Sequence, residues 1–281
     1  MLIAVFGNCY QGECLPQVRR FIDMLSAVPG VNLMVECDFS RYLFDTGVGM
    51  AEFSDIYCDA DLAICFGGDG TFLNAAARVL GRNIPLMGIN TGHLGYLAGG
   101  TIGEAERLVG DIAGGNYVVE RRSRLLVEVP GSDIRGCALN EVAVLKRESA
   151  SMITIDTFVD DCHLARYQAD GLIVATPTGS TAYNLSAGGP VVDPRGRVLV
   201  ITPIAPHALT MRPLVMADDV VLRAVTTSRS DSFFLSIDGR PVPLQSGTGI
   251  VLRRAADDTL LARPAERDFI DSLRAKMLWG A

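Results

Sequence analysis

Lysine is almost missing from this chain. Of its 281 residues only Lys146 and Lys276 are lysine, and neither follows glycine, so the Gly-Lys-Ser or Gly-Lys-Thr of a Walker phosphate loop is absent. A dinucleotide fingerprint is absent too: Gly68-Asp69-Gly70-Thr71-Phe72-Leu73 puts leucine, and Gly47-Val48-Gly49-Met50-Ala51-Glu52 puts glutamate, where the last glycine belongs. The seven cysteines form no Cys-x-x-Cys pair, which removes the usual zinc and disulfide patterns and suits reduced thiols in a cytoplasmic protein. His93 and His163 have no acidic partner at metal-ligand spacing, so no metal site is assigned. Positive charge is also scarce: a net charge of −7 argues against a general nucleic-acid binder. No apolar run approaches the roughly 20 residues of a membrane helix, and Met1-Leu2-Ile3-Ala4-Val5-Phe6 lacks the basic leader of a signal sequence. Neither repeats nor low-complexity tracts occur.

What remains is a chain 49% hydrophobic and 20% charged, the balance of a folding globular protein. Its pivotal stretch runs from Asp61 to Leu73. Leu62 to Phe66 is a compact apolar run, expected as a buried strand, and it stops at Gly67-Gly68. Beyond Asp69, the residues Phe72, Ala75, Ala76, Val79 and Leu80 fall at helical spacing. Asp69 therefore sits between a strand's carboxyl end and a helix's amino end, where open α/β sheets bind ligands and free N–H groups favour phosphate. One carboxylate beside a phosphate seat suggests phosphoryl transfer, although Gly-Asp-Gly is also common turn chemistry.

Up to about residue 115, strands alternate with helices, the rhythm of a largely parallel sheet. Expected strands are 2–6, 32–36, 62–66 and 84–90, with helices at 15–25 and 104–113. The mixed signals of 38–58 support no assignment. Thr91 to Leu97 is glycine-punctuated, like a loop laid over a ligand. After 115 helices nearly vanish. Strand-like runs at 124–129, 138–146, 152–159, 163–168, 172–175, 198–201, 220–225, 233–237 and 249–253 predict an all-β sandwich, with hairpin turns at Asp160-Asp161 and Asp238-Gly239. The division is 1–115 and 116–281, with a final helix over about 266–278 whose Phe269, Ile270, Leu273, Met277 and Leu278 share the face that packs back on the body.

One stretch interrupts the β region. Asp170-Gly171 leads through Leu172 to Ala175 into Thr176-Pro177-Thr178-Gly179-Ser180-Thr181-Ala182-Tyr183, and a short helix is expected from about Ser180 to Gly188. Its hydroxyls and free N–H groups can bind polar edges or phosphate, and Tyr183 offers an aromatic face for a base.

Gly67-Gly68-Asp69-Gly70-Thr71-Phe72-Leu73, Asn140-Glu141, Asp170-Gly171 and the Thr176 to Tyr183 motif, in this order and at these separations, resemble the NAD kinases over nearly the full chain. The first motif is shared with lipid kinases and 6-phosphofructokinases; the last is far more specific. The resemblance implies a Rossmann-like N-terminal domain, a C-terminal β-sandwich, and phosphorylation of the adenosine-ribose 2′-hydroxyl of NAD by ATP with Mg2+ or another divalent cation. It implies Asp69 as base, with Gly67, Gly68, Gly70 and Thr71 at the phosphates. Asn140 and Glu141 hold the NAD adenosine, Thr181, Ala182 and Tyr183 line the adenine site, and Asp170 and Ser186 meet the nicotinamide half near Ala205. Asn74, also on the NAD side, and Gln168 stand where many relatives are basic. A homodimer or homotetramer is implied as well.

Overall fold

A computed structural model of the chain describes residues 1–8, 12–43, 51–54, 59–92, 95–148 and 151–277. It divides into two compact units, Met1–Arg121 with Thr259–Ala281, and Arg122–Asp258. The division differs from a break at 115/116 because the strands Tyr117–Arg122 and Thr259–Pro264 both belong to the first unit's sheet. The first of them ends in Glu120-Arg121-Arg122 and the second in a proline, features that mask a strand.

In the first unit an eight-stranded sheet has the order Ala51–Phe53, Asn32–Glu36, Leu2–Gly7, Leu62–Phe66, Leu86–Asn90, Thr259–Pro264, Tyr117–Arg122, with Ala98–Thr101 also paired to Leu86–Asn90. Leu62–Phe66 is central and lies parallel to a neighbour on each side. All five of its residues are buried, which explains an apolar run without alternation. Helices Leu15–Ser26 and Ala105–Gly114 cover one face, packing Phe21, Ile22, Leu108 and Ile112 against Ile3, Val5, Ile64 and Phe66. Helix Asp69–Arg78 covers the other: Phe72 lies against Gly88, whose neighbours Met87 and Ile89 face the first core. A capping box between Thr101 and Glu104 opens the turn before Ala105, and Gly115 at φ 68° ends that helix. The unassigned 38–58 region contains helix Cys37–Leu43 and strand Ala51–Phe53; 44–50 and 55–58 lie outside the described residues.

The final helix is Phe269–Met277. Asp268 and Asp271 open it by exchanging backbone N–H bonds of 3.0 and 2.9 Å. Its expected apolar face is narrower than the spacing suggested: Leu273 is buried, but Ile270 is 47% exposed, and Leu278 lies outside the described residues.

The second unit is built of two six-stranded antiparallel sheets. One runs Leu214–Ala217, Val198–Ile204, Gly171–Ala175, Glu141–Lys146, Ser232–Ile237, Arg240–Gln245. The other runs Cys162–Ala169, Ile153–Val159, Leu222–Thr227, Gly249–Arg254, Leu125–Glu128, Arg135–Ala138. Val144, Val174, Ile201 and Leu235 from the first share a core with Val127, Ile155, Ala224 and Leu252 from the second, which makes the unit a sandwich. Both predicted hairpin turns have positive φ at their two central residues, 47° and 70° at Asp160-Asp161 and 46° and 78° at Asp238-Gly239, the handedness that matches strand twist. The run expected as one strand over 138–146 is broken. Arg135–Ala138 lies in one sheet and Glu141–Lys146 in the other, and the chain crosses between them at Leu139-Asn140.

Candidate functional site

Asp69 is the first residue of its helix, preceded by Gly68 in extended conformation. The N–H groups of Thr71 and Phe72 both return to the Gly68 carbonyl, at 3.0 and 3.1 Å. Those of Asp69 and Gly70 have no carbonyl behind them in the helix, so they remain donors at the positive end of its dipole. Gly68 and Gly70 are exposed, Asn74 is exposed one turn further on, and the Thr71 side chain folds back over Gly67. The Asp69 carboxylate accepts the Tyr96 N–H at 2.9 Å and the Leu97 N–H at 3.2 Å. A Cβ at Gly95 would lie 1.8 Å from Asp69 Oδ1, so glycine is required there by close approach. The 91–97 segment thus holds the acid itself; His93 and Leu94 lie outside the described residues. Burial raises the Tyr96 phenol and the Cys65 thiol above their ordinary pKa, and the Asp69 charge pushes both the same way.

In the second unit, Asn140-Glu141 and the Thr176 to Tyr183 motif come together. The Thr176 N–H donates to Asn140 O at 2.9 Å and the Thr176 hydroxyl to Leu139 O at 2.6 Å. Gly179 rests on the Asn140 backbone, where a Cβ would come within 2.0 Å of the carbonyl oxygen. The expected single helix after Ser180 is instead two short turns, Thr178–Thr181 and Tyr183–Ser186, parted by Ala182 at φ −98°, ψ −130°. Its hydroxyls mostly serve the loop. Thr176 accepts the Gly179 N–H at 3.1 Å, Ser180 bonds both backbone groups of Val192, and Thr181 donates to Thr178 O at 3.4 Å.

Two buried polar atoms in this region make no hydrogen bond among the described residues, Glu141 Oε2 and Thr178 Oγ1. Buried polar atoms are usually paired, so both are available to a ligand's donor or acceptor. Burial, with the nearby Asp238 charge, pushes the Glu141 carboxyl from the ordinary 4.5 up to about 7, while the Tyr183 N–H bond pulls it down. Tyr183 is 39% exposed.

Asp170 and Ala205 form a separate group. Asp170 sits 2.7 Å from Lys146 Nζ, its N–H donates to Ile204 O at 3.0 Å, and Ala205 follows with φ 44°. Glu141 pairs with Ala175 at one end of the shared ladder, and Leu145 pairs with Gly171 at the other, four residues or about 13 Å apart. Ser186 is exposed on the Tyr183–Ser186 turn. His207 is exposed, and its backbone N–H donates to Gln168 O at 2.8 Å. Arg240, just after the Asp238-Gly239 turn, is exposed at the start of its strand.

Three residues escaped the sequence reading. Asn184, fully buried, donates to Ser180 O and Pro190 O at 2.9 and 3.1 Å and accepts the Thr202 hydroxyl at 2.6 Å, latching the loop. Lys146 faces Asp170. Asp238 accepts the N–H groups of Leu139, Asn140 and Glu141 at 2.7, 2.8 and 3.1 Å. Nothing in the sequence marked that contact, because 138–146 reads as one strand. Among the described residues no group of three or more His, Cys, Asp or Glu side chains could hold a metal ion, and no helix is long and apolar enough to cross a membrane.

Two family models match: the ATP-NAD kinase N-terminal domain over residues 46–117 and the ATP-NAD kinase C-terminal domain over residues 139–260. An NAD kinase of Bacteroides fragilis is 41% identical over 287 aligned positions, covering all of this chain and 99% of its own. Among solved structures, yeast NADH kinase complexed with NADH superposes with TM-score 0.90 at 25% identity, covering all of this chain and 88% of the yeast chain. An NAD kinase from Archaeoglobus fulgidus in complex with ATP gives TM-score 0.77 at 26% identity over 99% of both chains.

Proposed function

The chain belongs to the NAD kinase family and is a kinase of that type; from that premise we propose that it transfers the γ-phosphoryl group of ATP to the adenosine-ribose 2′-hydroxyl of NAD, with Asp69 as general base. The observation that carries the reading is the Asp69 carboxylate, fixed by two backbone N–H groups at the mouth of a helix with free donors. A ribose hydroxyl is a weak nucleophile until its proton leaves. Here the proton passes to a carboxylate oxygen of Asp69, the sugar oxygen bonds to the γ-phosphorus, and the bond to the bridging oxygen breaks to release ADP.

Phosphoryl transfer otherwise asks for positioning and charge stabilisation. Free N–H groups at Asp69 and Gly70 meet phosphate oxygens. Asn140 and Glu141 hold the adenosine, with the unpaired Glu141 Oε2 and Thr178 Oγ1 facing its polar edges and Thr181, Ala182 and Tyr183 beside the base. Asp170, Ser186 and Ala205 serve the nicotinamide half. A magnesium ion would arrive on the phosphates, its usual habit, with Asp69 the carboxylate at the phosphate seat, and would neutralise charge on the transferring group. The yeast and archaeal relatives bound to NADH and ATP support the two substrates. A homodimer or homotetramer is the assembly the family resemblance implies, and light scattering measures it.

The test is product chemistry. Protein incubated with ATP, Mg2+ and NAD should yield a product that an NADP-specific dehydrogenase reduces, with one new monoester phosphorus signal coupled to the ribose 2′ proton. A phosphate at another hydroxyl, or none, contradicts the assignment.

A further inference from the structure

Arg124 heads the fully buried side chains by volume, at 2% exposure. A guanidinium withdrawn from water is costly unless its charge and donors are met. Its Nη2 donates to Cys137 O at 3.1 Å, and Asp238 is an opposite charge acting on it. Burial draws the Arg124 pKa down, with Cys137 and Asp238 opposing; burial raises Asp238, with three backbone N–H bonds and Arg124 opposing.

Both residues bear on one short segment. The chain leaves one sheet after Ala138 and enters the other at Glu141. Asp238 Oδ2 takes the Leu139 N–H, its Oδ1 takes those of Asn140 and Glu141, and its own N–H donates to Glu141 O at 3.0 Å. Arg124 holds the Cys137 carbonyl just upstream. The same segment is the template on which Thr176 and Gly179 rest, so a shift at 139–141 is passed to the residues around Tyr183 as well.

We propose that Asp238, backed by the buried Arg124, is a positioning residue for the kinase reaction: it sets the backbone of Leu139 to Glu141 so that Asn140 and Glu141 meet the adenosine of NAD. The proposal rests on the reading of Asn140-Glu141 as adenosine-holding residues. Neither residue touches substrate; both act through the peptide groups between the sheets.

Steady-state kinetics on the full chain tests it. Asp238→Asn keeps the shape but turns an amide donor toward one N–H and removes a negative charge that acts on Arg124. The Michaelis constant for NAD should rise about ten-fold or more, while that for ATP and kcat at saturating NAD stay within about threefold, the pattern of lost uniform binding. Arg124→Met should raise the same constant, and Arg124→Lys, which keeps charge but not the fork, should raise it by about threefold, less than Met. A purely structural pair would lower the melting temperature and leave the NAD constant of folded enzyme unchanged, and that result overturns the proposal. If Asp238→Asn does not fold, Arg124→Lys carries the same decision. Asn140→Ala is measured in parallel. If it leaves the NAD constant unchanged, the adenosine reading itself fails; if it raises the constant while the Asp238 and Arg124 variants do not, only the positioning role is lost.

Discussion

Glu141→Gln offers a prediction whose size follows from the buried carboxyl itself. In the folded protein burial pushes the Glu141 carboxyl up to about 7 against an ordinary 4.5. Below pH 4.5 the group is protonated in both states. Between 4.5 and about 7 the folded state holds a proton that the unfolded chain has lost, so stability falls as pH rises through this window; above it the slope ends. At about 1.36 kcal/mol per pH unit, the window is worth about 3 kcal/mol at most. Gln is nearly the same shape and neutral throughout. The variant should therefore match the parent near pH 4.5 and melt about 5–10 °C higher by pH 8. Asp238 is raised too and is present in both proteins, so the difference between their melting curves reports the Glu141 charge together with its effect on Asp238. Thermal unfolding followed by circular dichroism over pH 4.5 to 8.5 supplies the data. Two curves that stay parallel across the range refute the argument that this carboxyl is strained toward its neutral form.

Other substitutions probe the neighbouring parts. Asn184→Ala removes bonds to Ser180 O and Pro190 O and strands the fully buried Thr202 hydroxyl; a loss of about 3 kcal/mol is expected from denaturant titration, with a higher Michaelis constant for NAD. Gly95→Ala drives a methyl into Asp69 Oδ1, and kcat should fall about a hundredfold because the acid must move by about 1 Å. Asp170→Asn removes the carboxylate paired with Lys146; it should weaken NAD while leaving inhibition by AMP, which lacks the nicotinamide half, unchanged.

Much of this was legible in the residues. Leu62 to Phe66 reads as a strand covered on both faces because nothing polar interrupts it, and Asp160-Asp161 and Asp238-Gly239 announce hairpins through residues tolerant of positive φ. The hidden parts depend on contacts distant along the chain. Asp238 satisfies a turn preference locally, so its grip on amides almost a hundred residues earlier leaves no separate mark. Asn184 looks like one more polar residue in a polar loop until Thr202 and Pro190 close around it. The expected helix after Ser180 is interrupted where Ala182 leaves helical conformation, beside the Asn184 bonds that close the loop. Thr259–Pro264 was unread as a strand because its place lies in the first unit's sheet, next to Leu86–Asn90.

The central claim is that Asp69 takes the proton from the sugar hydroxyl. Asp69→Asn keeps acceptor and shape but cannot hold that proton, so the measurement is its single-turnover rate beside NAD binding by calorimetry. The account predicts NAD affinity within a few-fold of the parent and a rate lower by about 10² to 10⁴. A rate within about threefold of the parent, with NAD bound as before, contradicts it.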